Sequence, residues 1–174
     1  MIGGDDMLQK VFIAVTFSLM MFTSTATAQI SDKPVIAVET FKVANDTAGS
    51  CDKECSEAIL VKLFESGKFI LLDLSEKEIH SADKKTDLDY LVRGSVDVQT
   101  SDPSFVKVFI DFELVDAKTE ELIWGRRIWH KEPSNKKKYL PLTIHNTIFL
   151  TADKVVRRLI ADIDSGKLVL KRGD

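Results

Sequence analysis

The sequence predicts an α/β fold: a single domain whose mixed β-sheet is packed by helices, in the order β-α-β-α-β-β-β-α. Val106, Val108, Ile110, Phe112 and Leu114 alternate with Lys107, Asp111 and Glu113, the period of an antiparallel strand with one wet face. Ile144, Ile148, Phe149, Ala152, Val155, Val156, Leu159, Ile160 and Ile163 recur at steps of four, one and three, the stripe of an amphipathic helix. Between residues 35 and 82, short β-rich apolar runs alternate with helical spacings, as in a unit with parallel strands.

Taken in order, Val35 to Phe41 reads as the first strand and is nearly continuous in apolarity, as expected of a strand covered on both faces. Ala58, Ile59 and Leu63 give a helix over Cys55 to Ser66, with Gly67 where a C-terminal cap belongs. Lys68 to Leu72 is the next strand. Ser75-Glu-Lys-Glu78 spells a capping box, so a short helix to about Ala82 follows. Leu88 to Val98 and Phe105 to Val115 are strands, and Gly94 inside the first marks a bulge or a close approach. Asp116 to Glu120 turns the chain, and Glu121 to Trp129 returns as the hairpin partner. Pro141 near the start and Gly166 just past the end bracket the last helix.

Ahead of this domain the composition changes. All four methionines (Met1, Met7, Met20, Met21) stand at the front, beside Lys10, an apolar run from Val11 to Phe22 and the small-residue pattern Ala26-Thr27-Ala28. These are the parts of a secretory signal peptide. The run is well short of the roughly 20 apolar residues that span a bilayer. Residues 1–28 are therefore expected to be cleaved after Ala28, residues 29–34 to form a polar lead-in, 35–166 the domain and 167–174 a C-terminal tail. Gln29, not cysteine, would open the mature chain, so no lipid anchor is expected, the protein is placed in the periplasm, and membrane contact is at most peripheral.

Lys+Arg number 24 against 27 Asp+Glu, and this near balance excludes a dedicated nucleic-acid binder, whose affinity rests on clustered cations. The one basic run, Lys136 to Lys138, sits in a loop. His80, His130 and His145 have no ligand or base partner at a diagnostic spacing, and no metal site is expected. There is no nucleophile elbow and no glycine-rich phosphate loop, so no catalytic residue and no cofactor is assigned.

Two constellations remain. Cys51 and Cys55, four apart at a loop-to-helix junction, are a candidate disulfide in an oxidising compartment, with free thiols or a redox pair as alternatives. A bond needs Cβ atoms about 3.8 Å apart, hence a first turn that is not regular helix. Trp124, Arg126, Arg127 and Trp129 are interaction candidates, because Trp and Arg are favoured at recognition hot spots. In the alternative arrangement one tryptophan packs under the final helix and the arginines pair with Asp111 and Glu113.

Four segments carry a family resemblance, in one order: Val35 to Phe41, Leu63 to Phe69, Asp89 to Val96 and Leu114 to Trp124. They resemble the opening strand, a helix-to-strand junction, a central strand and a hairpin of the TolB N-terminal domain and its relatives CsgG, PelC and LpoB. Glu39-Thr40 departs from that pattern, and Glu120 stands where its hairpin has glycine, a position of positive φ that costs an ordinary residue about 1 kcal/mol. Neither the long membrane-inserting hairpin of CsgG nor the TolB propeller is present. The resemblance implies a non-catalytic periplasmic module that docks on other envelope proteins or assembles with itself into rings. The enzyme alternative is a thioredoxin-like oxidoreductase using Cys51 and Cys55, with Pro103 preceding a strand as that fold's proline does.

Overall fold

A computed structural model of the chain describes residues 33–44, 51–72, 88–134 and 140–172. In chain order the elements are β1 (Val35–Val38), β2 (Lys42–Val43), α1 (Cys51–Ser66), β3 (Ile70–Leu71), β4 (Tyr90–Gln99), β5 (Phe105–Asp116), β6 (Leu122–Pro133) and α2 (Leu140–Asp164). One sheet runs β3-β1-β4-β5-β6, with β2 also on β4. β1 is parallel to β3 and β4, while β4, β5 and β6 form an antiparallel meander. The class is the expected mixed α/β domain. The leader, the capping box at Ser75 and the lysine run at Lys136 lie outside the described residues.

The first strand is shorter than its apolarity suggests. Val38 pairs with Val92 and Lys42 with Ser95, four steps on one strand against three on the other. The extra residue is a bulge, at the Glu39-Thr40 departure, and it turns Phe41 into the core at 1% exposure. Gly94 makes this possible. A Cβ there would stand 1.9 Å from the Asp111 carbonyl oxygen and 2.7 Å from the Phe41 ring. Close approach, not positive φ, is what requires glycine at this strand position.

Both described helices cover the same sheet face. Ile59 and Leu63 of α1, and Ile148, Ala152, Val155 and Leu159 of α2, join Ile36, Val92, Val96, Val108, Ile110, Phe112 and Leu114 in the main core. Gly67 and Gly166 end the helices at φ of 63° and 70°, the left-handed cap that glycine adopts without a Cβ penalty. The α2 stripe is as expected except at Phe149, which is half-exposed beneath the Lys62 ammonium. Thr147, Thr151 and Asp162 are buried instead. The two threonine hydroxyls donate to the carbonyls of Thr143 and Thr147, one turn back, and so need no outside partner. A second cluster, Val35, Ala37, Leu88, Leu91, Val115 and Ala117, is buried on the opposite sheet face. After α2 the chain is held by Leu168 and Leu170 against the core and by Tyr90 Oη, which donates to the Lys171 carbonyl at 2.9 Å.

Candidate functional site

Strand alternation divides the four interaction candidates between the two sheet faces. Trp124 opposes Leu114 and Arg126 opposes Phe112, on the helix side; Arg127 opposes Asp111 and Trp129 opposes Phe109, on the open side. Trp124 is buried edge-on to Phe112 with centroids 5.5 Å apart, and its indole N–H donates to Asp162 Oδ2 of α2 at 3.0 Å. That hydrogen bond, followed by the charges of Arg158, Lys167 and Arg126, holds the Asp162 carboxyl below its ordinary pKa against the opposing effect of burial. Arg126 stacks over the same indole at 5.8 Å. One tryptophan therefore does pack under the final helix.

The open face carries a ladder of charges that runs into a strip of aromatic rings. Arg93 pairs with Glu113 at 3.0 Å, Ser95 donates to Asp111 at 3.2 Å, and Arg127 reaches Asp111 at 3.6 Å and Asp97 at 4.0 Å. Glu113 thus takes its partner from β4 and not from β6. Beyond this ladder Phe109 and Trp129 stand directly across the hairpin, and Trp129 is 53% exposed. Lys107 lies over both rings at 4.5 and 4.7 Å, Arg127 over Phe109 at 4.9 Å and Lys131 over Phe105 at 3.4 Å. The rings' negative faces hold the cations in place, while among the described residues no carboxylate pairs with Lys107 or Lys131. The same period-two pattern that sends Lys107 outward also sends Phe105 and Phe109 there, so this strip is written in β5 as well as in β6.

Beside the ladder is a concavity of about 540 Å³, lined by Glu39, Lys42, Arg93, Ser95, Asp111 and Glu113 among others. Asp111 and Glu113 already face cations, and among the described residues no three metal-ligating side chains come together. The concavity offers hydrogen bonding from Ser95, whose hydroxyl donates to Asp111.

Cys51 and Cys55 are free thiols, both buried, one turn apart at the start of α1. The helix begins four residues earlier than its apolar spacing implies. Regular helix keeps such a pair about 5–6 Å apart at Cβ, too far for a disulfide. Burial, then Glu54 and Asp52, push the Cys51 thiol up to about 11, and burial pushes Cys55 up further. A redox-active cysteine needs the reverse shift. His130 lies between Glu132 and Lys154, bridging β6 to α2, and His145 faces Glu54 at 3.7 Å.

No protein-family model and no curated protein sequence matches the chain. Solved structures do. A PelC variant from Paraburkholderia phytofirmans, a dodecamer, superposes with a TM-score of 0.56 at 15% identity over 73% of this chain and 88% of that one. This is the PelC fold. The hypothetical protein CT253 of Chlamydia trachomatis shares it with a TM-score of 0.53 at 13% identity, over 76% of this chain and 96% of that one. XCC0632 of Xanthomonas campestris follows at 0.50 and 11%, over 78% and 86%. The PelC-like arrangement agrees with the fold implied by the four sequence segments, and the Trp129 strip lies on the sheet face opposite α1 and α2.

Proposed function

We propose that this chain is a non-catalytic accessory protein of a bacterial cell envelope, exported by its leader, that works by binding other envelope proteins or by assembling with copies of itself. The observation that carries this reading is the open sheet face: a PelC-like domain that places Trp129, Phe109 and a cluster of cations on the surface, while its thiols are buried and protonated. The solved PelC variant is a dodecamer, which supports self-assembly as one form of that role. Export, polysaccharide or curli secretion, and cell-wall synthesis are the machines it would serve.

The test is cellular. The full chain, expressed from its own leader, is fractionated and chemically cross-linked in intact cells. The reading expects a periplasmic product beginning at Gln29 and cross-linked species above monomer size. A cytoplasmic, uncleaved, uncross-linked product would overturn it.

A further inference from the structure

The long free edge of the sheet is chemically specific. β6 pairs only with β5 among the described strands. Ser134 N–H donates to the Ser104 carbonyl at 2.8 Å just outside the Phe105–Pro133 pair, which makes that pair a non-hydrogen-bonded one in an antiparallel ladder. By alternation the backbone N–H and C=O groups of Arg127, Trp129 and Lys131 point away from β5, along the edge. Pro133 lacks an N–H and closes this run at one end, and the register shift after Leu114 closes it at the other. The side chains of the three edge residues all lie on the open sheet face.

Charge selects what can add there. On the open face the edge run carries Arg127 and Lys131: Arg127 is 56% exposed and shares Asp111 and Asp97 only at 3.6 and 4.0 Å, and Lys131 stands directly across from Lys107, a like-charge pair that costs energy as it stands. A second copy laid edge to edge would bring these cations against themselves, the device by which sheets resist self-pairing. The same cations leave the edge open to the opposite charge. Resting on the accessory-protein reading above, we propose that the β6 edge docks an extended acidic segment of a partner envelope protein by strand addition, with carboxylates four residues apart beside Arg127 and Lys131 and an apolar residue between them on Trp129. Backbone bonds supply the affinity, and the alternate side chains supply the choice of partner.

The experiment titrates the isotope-labelled protein with a short probe peptide, Thr-Asp-Thr-Val-Thr-Asp-Thr with blocked ends, and with its lysine counterpart. The expected result is saturable shifts at the amides of Arg127, Trp129 and Lys131 with the acidic probe alone. The double variant Arg127→Glu/Lys131→Glu, both positions exposed, is expected to weaken the acidic probe by about tenfold or more and to gain the lysine probe. N-methylation of one alternate set of probe residues is expected to abolish binding, and of the other set to spare it, a readout that leaves the protein unchanged. Shifts confined to other surfaces, equal tolerance of both methylated sets, or equal binding of both charges would overturn the assignment. So would β6 shifts that grow with protein concentration without probe, which would make a second copy the occupant. If envelope partners cross-link equally well to the double variant, the docking assignment fails while the accessory role stands; if the wild type cross-links to nothing, the role itself fails.

Discussion

Glu120 holds a φ of 59° at the tip of the β5–β6 hairpin, where its N–H donates to the Asp116 carbonyl at 2.9 Å. A side chain in the left-handed region costs about 1 kcal/mol, so Glu120→Gly is expected to raise stability by about that amount in urea unfolding. Asp116 sets the turn by accepting from the Thr119 and Lys118 N–H groups, contacts that lower its pKa. Gly94 is the opposite case. Gly94→Ala should destabilise by about 3 kcal/mol, and Phe41→Leu should not rescue it, because the closest obstacle is the Asp111 backbone. Glu120 was legible as a position needing positive φ, from its place in the family hairpin. Trp124–Asp162 was not, because the two are far apart in sequence and an acid on an apolar stripe looks like a solvated residue until its partner is known. Asp162 is depressed in the fold, so its contribution is complete above the ordinary carboxylate value of about 3.9 and is lost as pH falls through its lowered folded value. Trp124→Phe is therefore expected to lower stability at neutral pH and to flatten the acid limb of a stability–pH curve.

At the scale of elements, α2 and β5 were the most legible because each presents one apolar face to one partner, so period alone reveals it. β1 was less so: apolar composition marks a buried segment but not the bulge at Glu39-Thr40, which depends on the register against β4. Cys51 stands at the helical spacing of Cys55, Ala58 and Ile59, so the start of α1 was readable; taking Cys51 as part of a loop-to-helix junction hid the geometry of the two thiols. Their placement makes a linked prediction. The Cys51 thiol is raised in the fold, so its contribution is present below the ordinary thiol value near 8.5 and is lost as pH rises toward about 11. Cys51→Ala should flatten the alkaline limb of the same curve. Both thiols of the folded protein should react slowly with an aromatic disulfide reagent at neutral pH and rapidly in denaturant; fast reaction of the folded protein, with insulin reduction lost in Cys51→Ser, would restore the oxidoreductase reading.

For the molecule as a whole, periodicity made the fold class readable and four sequence segments the family resemblance, and the PelC-like structure agrees with the fold that both imply. What composition cannot show is which cations meet carboxylates. Arg93 and Arg127 are occupied by Glu113, Asp111 and Asp97, whereas Lys107 and Lys131 rest on rings, and only the register of β4, β5 and β6 separates the two groups. The proposed association uses that open face. Trp129→Ala, which removes a half-exposed side chain from outside the core, is expected to leave the unfolding midpoint nearly unchanged while reducing association. The most direct measurement is the mass, by light scattering, of the protein purified gently from its own envelope fraction, wild type beside Trp129→Ala. The expected result is a wild-type species heavier than the monomer that Trp129→Ala reduces to monomer; a wild type that is strictly monomeric, or an assembly indifferent to Trp129, would contradict the proposed role.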